Sequence, residues 1–245
     1  MSRIELIPLE GIPEVRAGDD LAALIAAAAE STGIGLQPGD VLVVTQKVVS
    51  KAEGRVVELA SVEPSDFAVA WAERWAKDAR QVELVLRESA SIVRMGPGGL
   101  IISRTRHGFV CANAGVDLSN VGMQEVATLL PLDPDGSAAA LRARLGVPVV
   151  ISDSFGRPWR NGIVNVAIGV AGLEAVVDLR GQPDTAGRTM LATVIAVADE
   201  LASAADLAGG KVEQQPVVVV RGYRWAPSEA GMGPLVMEPE RDLFP

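Results

Sequence analysis

His107 and Cys111, the only histidine and the only cysteine among 245 residues, stand four positions apart in HGFVCANAGVDLSN (107–120). A catalytic thiol needs a nearby base and a third group that orients it. On a strand, positions i and i+4 share a face but lie about 13 Å apart, so a direct couple is not expected. Cys111 reads instead as a small core residue, and His107 as a surface or binding-site side chain.

The second half of that stretch has different chemistry. In NAGVDLSN, Gly115 permits a turn, and Asp117, Ser119 and Asn120 present oxygen-bearing side chains at a strand end. Such ligands suit Mg²⁺ or Mn²⁺, which accept one or two carboxylates and leave positions for water or phosphate. An Asx-type turn that caps local backbone is the alternative.

DSFGRPWRNG (153–162) repeats the theme. Asp153 and Ser154 directly follow the apolar run VPVVIS, and Arg157 and Arg160 are expected within one short loop beyond them. A carboxylate for a metal beside paired guanidiniums is what phosphoryl chemistry requires, since Arg donates bidentately to phosphate oxygens. Alternatively, Arg157 pairs with Asp153 in a tight turn. TQKVVSKAEGR (45–55) adds Lys47, Lys51 and Arg55 around Gln46 and Ser50. If this stretch is extended, Lys47 and Lys51 point to one face, either to meet an anion or to protect an edge strand.

Familiar nucleotide loops are absent: there is no G-x-x-x-x-G-K-[ST], and GPGG (96–99) does not match G-x-G-x-x-G. DPDGSA (133–138) resembles an acidic metal loop, yet Asp135 or Ser137 as a helix N-cap explains it more simply.

These residues must be positioned by a chain that is 49% hydrophobic, enough to bury a sizeable core. The formal net charge of −9 argues against a nucleic-acid partner, so basic residues must be focused locally to hold an anion. No apolar run approaches a membrane span, MSRIELIPLEG lacks a signal-peptide pattern, and one cysteine fits a reducing compartment. The cytoplasm is the expected location. IELIPL (4–9), VLVVTQKVV (41–49), LIIS, GFVCAN, VPVVIS (147–152), GIVNVAIGVAG and PVVVVRG (216–222) read as strand material. Helices are expected over 19–30, in one or two pieces after Pro64, after DPDG up to Gly146, and near 189–208. The mixture lacks a regular βαβ alternation, which predicts an α+β fold in a single domain over 1–245, with two subdomains an option.

Taken in order, VVTQKVVSKAEGR, CANAGVDLSN, LLPLDPDGSA, ISDSFGRPWRNG and VVVVRG resemble the coenzyme F420-0:L-glutamate ligase family over nearly the whole chain. The resemblance implies a mixed α+β sheet fold of the family's own, an intertwined homodimer, and addition of L-glutamate to the lactyl carboxylate of the deazaflavin F420-0, followed by γ-linked glutamates. It implies GTP as co-substrate, Mg²⁺ or Mn²⁺, and K⁺ as an aid. Residue by residue it makes Asp117, Asp153 and Ser154 metal contacts, with Ser154 where the family usually has Thr, and Glu229 the third acidic contact in a segment that departs from the family's acidic-Gly-Ser string. It assigns Asn120, Gln46, Lys47, Lys51 and the segment Glu10, Gly11, Ile12, Pro13 to the nucleotide. Asp153, Arg157 and Arg160 are the candidate catalytic group from the residues themselves, the arginines offsetting charge during phosphoryl transfer. The same constellation would also serve a metal-dependent phosphohydrolase, and a non-catalytic deazaflavin-binding module is the other alternative. The ending RDLFP lies near where two-domain relatives continue into a flavin-binding nitroreductase-like region, so a complete short enzyme and an N-terminal half read alike.

Overall fold

The computed structural model describes residues 3–118, 125–210 and 213–241. Its centre is a five-stranded sheet in the order β1-β12-β2-β8-β9, formed by β1 (Glu5–Pro8), β2 (Val41–Thr45), β8 (Val149–Arg157), β9 (Arg160–Ala171) and β12 (Val217–Arg221). Only β2 and β8 pair in parallel; the other neighbours are antiparallel. The middle strands are the apolar runs, and Val41, Val44, Val149, Ile151, Val217 and Val219 are buried, as strands covered on both faces should be. Pro8, which has no ladder N–H, ends the edge strand β1.

Helices cover this sheet. In α6 (Val197–Gly209) the buried Ala198, Leu201, Ala202 and Ala205 recur at helical spacing and pack on β9, β12 and β1. Packed on β9 and β8 is α5 (Pro134–Leu145), and α1 (Leu21–Ser31) packs on α5. The seven-residue α2 (Gln46–Ala52) follows β2 without a linker.

A second hydrophobic core lies under α3 (Asp66–Trp75) and α4 (Ala79–Glu88), with Ala68, Ala72, Val82, Val85, Ile101, Val116 and Leu129 inside it. Its strands are β3 (Val56–Glu58) with β7 (Val126–Thr128), and the three-stranded β4 (Ser89–Met95), β5 (Ile101–Thr105) and β6 (Val110–Ala112). A two-stranded pair, β10 (Val177–Asp178) with β11 (Val194–Ile195), completes the list. The α+β class is therefore as expected, with mixed sheets. Among the described residues, no helix is long and apolar enough to cross a membrane.

Four local expectations are corrected. The run 41–49 leaves the strand at Thr45, because Gln46, Val49 and Ser50 are buried at i, i+3 and i+4 and the chain continues as helix. Asp153 and Ser154 are not in a loop; β8 carries on through Arg157 and turns at Pro158–Trp159 into β9. Asp133, rather than Asp135 or Ser137, caps α5, its carboxylate accepting the Gly136 N–H at 2.9 Å. Helix α6 begins at Val197 rather than near 189, since the β-branched Val194 and Ile195 pair with Val177 and Asp178.

Candidate functional site

The parallel pair β2/β8 sets Thr45 opposite Ser152, so at its carboxyl end β2 gives way to α2 beside the point where β8 continues through Asp153, paired from there with β9. Ligands of open sheets commonly bind at such carboxyl ends. In α2, Gln46 is buried and its Oε1 accepts the Ser50 hydroxyl at 2.8 Å. Lys47 and Lys51 stand one helical turn apart and make different ion pairs. Lys47 Nζ is 2.6 Å from Asp117 Oδ2, and Lys51 Nζ is 2.5 Å from Glu14 Oε1. The second pair ties α2 to the N-terminal segment in which Glu10, Gly11, Ile12 and Pro13 lie, and Ile12 packs on the main core. Arg55, the remaining cation of that block, pairs with Glu88 at 2.7 Å and serves the second core.

Asp117 arrives on a strained turn. Asn113, Ala114 and Gly115 all have positive φ, at 53°, 51° and 72°, a region costly for non-glycine residues and found mostly where function holds it in place. After the turn, Asp117 forms an isolated bridge with Thr128, exchanging backbone hydrogen bonds of 3.0 and 2.8 Å. A Cβ added at Gly115 would sit 2.7 Å from Leu130 Cγ. Gly115→Ala should therefore cost about 2–3 kcal/mol from left-handed strain and overpacking, measurable by urea unfolding.

Cys111 joins this turn to β8. The thiol is buried and accepts the Gly115 N–H, and burial, followed by the negative charge of Asp153, pushes its pKa up to about 12. It is therefore a protonated thiol at neutral pH rather than a nucleophile. His107 faces elsewhere: its ring stacks on Phe109 with centroids 5.5 Å apart, and Nε2 lies 3.2 Å from the Leu132 carbonyl. Cys111→Ala should change kcat/KM by no more than about threefold, within the roughly 1 kcal/mol typical of a mild core truncation. A much larger kinetic loss at unchanged stability would reveal a chemical role.

Along β8 the next residue turns the other way, as strand alternation requires. Ser154 donates its hydroxyl to Asn165 Oδ1 at 2.7 Å, Asn165 Nδ2 donates to Asp206 Oδ1 at 3.0 Å, and Ser203 donates to the Asn165 carbonyl at 2.6 Å. Sequence reasoning passed over Asn165, although a lone amide in the apolar run GIVNVAIGV was the available signal. It also passed over Glu14, which sits one residue beyond the N-terminal segment.

Not every expected residue is brought to this place. Arg157 and Arg160 are register partners flanking the hairpin turn, and Arg157 Nη2 donates to the Asn161 carbonyl at 3.1 Å. Arg157 is four residues along the strand from Asp153, about 13 Å by the rise per residue. Glu229 is bound to Arg142 of α5 by two 2.8 Å hydrogen bonds. Asn120 and Ser119 lie outside the described residues. Among the described residues, no three His, Cys, Asp or Glu side chains gather as a metal cluster.

The site is thus a charged cluster beside the carboxyl end of β2, with lysines of α2 paired to carboxylates from separate segments of the chain. The chain matches the family model F420-0:Gamma-glutamyl ligase over residues 11–222. It is 47% identical to the coenzyme F420:L-glutamate ligase of Methanothermobacter thermautotrophicus, covering 98% of each chain. It is 48% identical to the protein of that name from Methanopyrus kandleri, over 99% of this chain and 97% of the relative, and 42% identical to that of Archaeoglobus fulgidus, over 99% and 96%. The chain belongs to the F420-0:gamma-glutamyl ligase family and is a ligase that forms carbon–nitrogen bonds.

Proposed function

We propose that this chain joins L-glutamate to the lactyl carboxylate of coenzyme F420-0, and then adds γ-linked glutamates, using GTP and a divalent ion. What supports the reading is the neighbourhood at the carboxyl end of β2: Lys47 of α2 pairs with Asp117, β8 carries Asp153 past that end, and β6, which holds Cys111 and leads into the 113–117 turn, packs against β8.

A carboxylate resists attack by an amine because its leaving group would be an oxide. Transfer of the γ-phosphoryl group of GTP to that carboxylate gives an acyl phosphate, and the glutamate amine then displaces phosphate. Lys47 and Lys51 are the cations available to a triphosphate here, and Glu14 holds Lys51 in place. The oxygen donors fit a hard cation: Asp117 already has a cation against it in Lys47, and Asp117 with Asp153 supplies the two carboxylates that Mg²⁺ or Mn²⁺ takes when phosphate oxygens fill other positions. Bound there, the ion would offset charge on phosphate oxygens. Ser154 and Glu229 remain candidate contacts in this reading: the Ser154 oxygen keeps lone pairs for an ion while its O–H donates to Asn165, whereas Glu229 would have to turn from Arg142. Arg157 and Arg160 would act only on a substrate that reaches the hairpin tip. That tip also offers a surface to a second copy, as a homodimer requires, since Trp159 is 81% and Ile163 58% exposed.

The deciding experiment is mass spectrometry of the product formed from F420-0, GTP and L-glutamate. The expected product is heavier by one or more glutamyl units, with phosphate released only when acceptor and glutamate are both present. Phosphate release from GTP alone would make the protein a phosphohydrolase, and binding of F420-0 without turnover would make it a carrier.

A further inference from the structure

A cleft beside β8 and β9 is not used by the residues assigned to the nucleotide. It has a volume of about 280 Å³, near the lower end of ligand clefts. Its position is fixed by β8 and β9: Phe155 lies two residues beyond Asp153 on the same face of β8, and Val166 is Asp153's register partner on β9. Directly opposed residues of antiparallel strands have Cα atoms about 4.5–5.5 Å apart, so the cleft starts beside the Asp153 backbone. None of Gln46, Lys47, Lys51 or Glu10–Pro13 lines it.

The lining has a definite chemistry. Phe109 and Phe155 meet edge to face, with centroids 6.0 Å apart, and form an aromatic floor. Val110 and Val166 are aliphatic walls, and Leu235 to Met237 of the C-terminal tail close another side, Val236 Cγ1 coming within 3.1 Å of where a Cβ on Gly108 would be. Arg104, opposite Val110 in the β5–β6 register, is the one Lys or Arg among the described lining residues. Asp199 is the one carboxylate among those lining residues; it accepts the Ala167 N–H at 2.9 Å, and burial raises its pKa. An apolar aromatic slot with one guanidinium suits a flat ring system that carries an anionic tail. It offers few of the directed polar groups that reading a nucleobase edge demands.

We propose that this cleft holds the planar chromophore of the acceptor substrate, with Phe109, Phe155, Val110 and Val166 against the ring and Arg104 against the anionic tail, so that the reacting carboxylate reaches Asp153. The inference rests on the ligase reading above, and extends it by assigning the acceptor's site.

The test uses two rim substitutions, at partly exposed positions. Val110→Trp fills the slot, and Arg104→Gln removes the charge. Two probes are titrated by deazaflavin fluorescence: F420-0, and the deazaflavin nucleoside that lacks the phospholactyl tail. Val110→Trp should weaken both probes and raise the KM for F420-0 by about tenfold or more, with the KM values for GTP and L-glutamate unchanged. Arg104→Gln should weaken F420-0 while leaving the tail-less nucleoside alone. A folded Val110→Trp with unaltered affinity for both probes, or one in which the GTP KM rises instead, overturns the assignment. Should Val110→Trp not fold, equal loss of both probes in Arg104→Gln, or loss of neither, has the same force. Wild-type protein that binds the nucleoside in a Val110-sensitive way yet never glutamylates F420-0 would sink the ligase reading and leave the cleft assignment standing.

Discussion

Asp153→Asn is expected to lower kcat on the order of 10³-fold, the scale seen when a group that stabilises developing charge is removed, while the protein stays folded. The substitution keeps the side chain's size on a strand whose backbone is paired along its length, Asp153 opposite Val166. What changes is the charge, which is felt as far as the Cys111 thiol. In the proposed chemistry that charge holds the divalent ion against the phosphate. Steady-state kinetics with GTP, F420-0 and glutamate, together with thermal unfolding, check the result. Turnover near the wild-type rate with the same metal requirement would remove Asp153 from the site.

Much of the frame was legible because burial writes itself into runs of one residue type. VLVVT, VPVVIS and PVVVV are central strands for the reason they look like central strands, and α6 shows its face through alanines and leucine at helical spacing. The errors lie where two local preferences compete. In QKVVSKA the paired valines favour a strand, but Gln46, Val49 and Ser50 fall on one helical face, and the Ser50–Gln46 hydrogen bond closes a turn that only a helix makes. In DSFGRPWR the Gly and Pro looked like loop punctuation. The antiparallel partner β9 nevertheless keeps Asp153 to Arg157 extended, and this carries the arginines away from the carboxylate they were expected to accompany.

The site itself was legible only as parts. Residue type singled out Asp117, Lys47, Lys51 and Asp153, but nothing in their spacing says that a turn of three positive-φ residues swings Asp117 onto Lys47, or that Cys111 sits between that turn and β8. Long-range pairing decides such contacts. Lys51 with Glu14 and Ser154 with Asn165 are of the same kind. His107 and Cys111, four positions apart in the chain and suggestive there, part company because each is claimed by a different neighbour.

The largest effect on stability should come from the opposite end of the central sheet. Asp40, 1% exposed, immediately precedes β2 and accepts two hydrogen bonds from Arg221 at the end of β12, at 2.8 and 2.9 Å, and one from the Gln37 N–H at 2.8 Å. Arg221 also donates to the Gly35 carbonyl at 2.8 Å, so the pair fastens the loop before β2 to the far edge of its neighbour. Asp40→Ala leaves a half-buried guanidinium and a backbone N–H without their acceptor. Breaking a buried pair from one side costs about 3–5 kcal/mol, which for a chain of this length lowers the unfolding midpoint by roughly 6–20 °C. The residue is a full strand length from Thr45, about 17 Å, so kcat/KM measured well below the new midpoint should stay within about twofold, the mark of a substitution that leaves transition-state contacts intact. A double variant, Asp40→Leu with Arg221→Met, should recover most of the loss, because replacing both charges by apolar groups removes the unpaired ion. If the double variant is as unstable as the sum of the singles, the cost of Asp40→Ala arises from packing of the loop at 35–40 and not from the ion left behind.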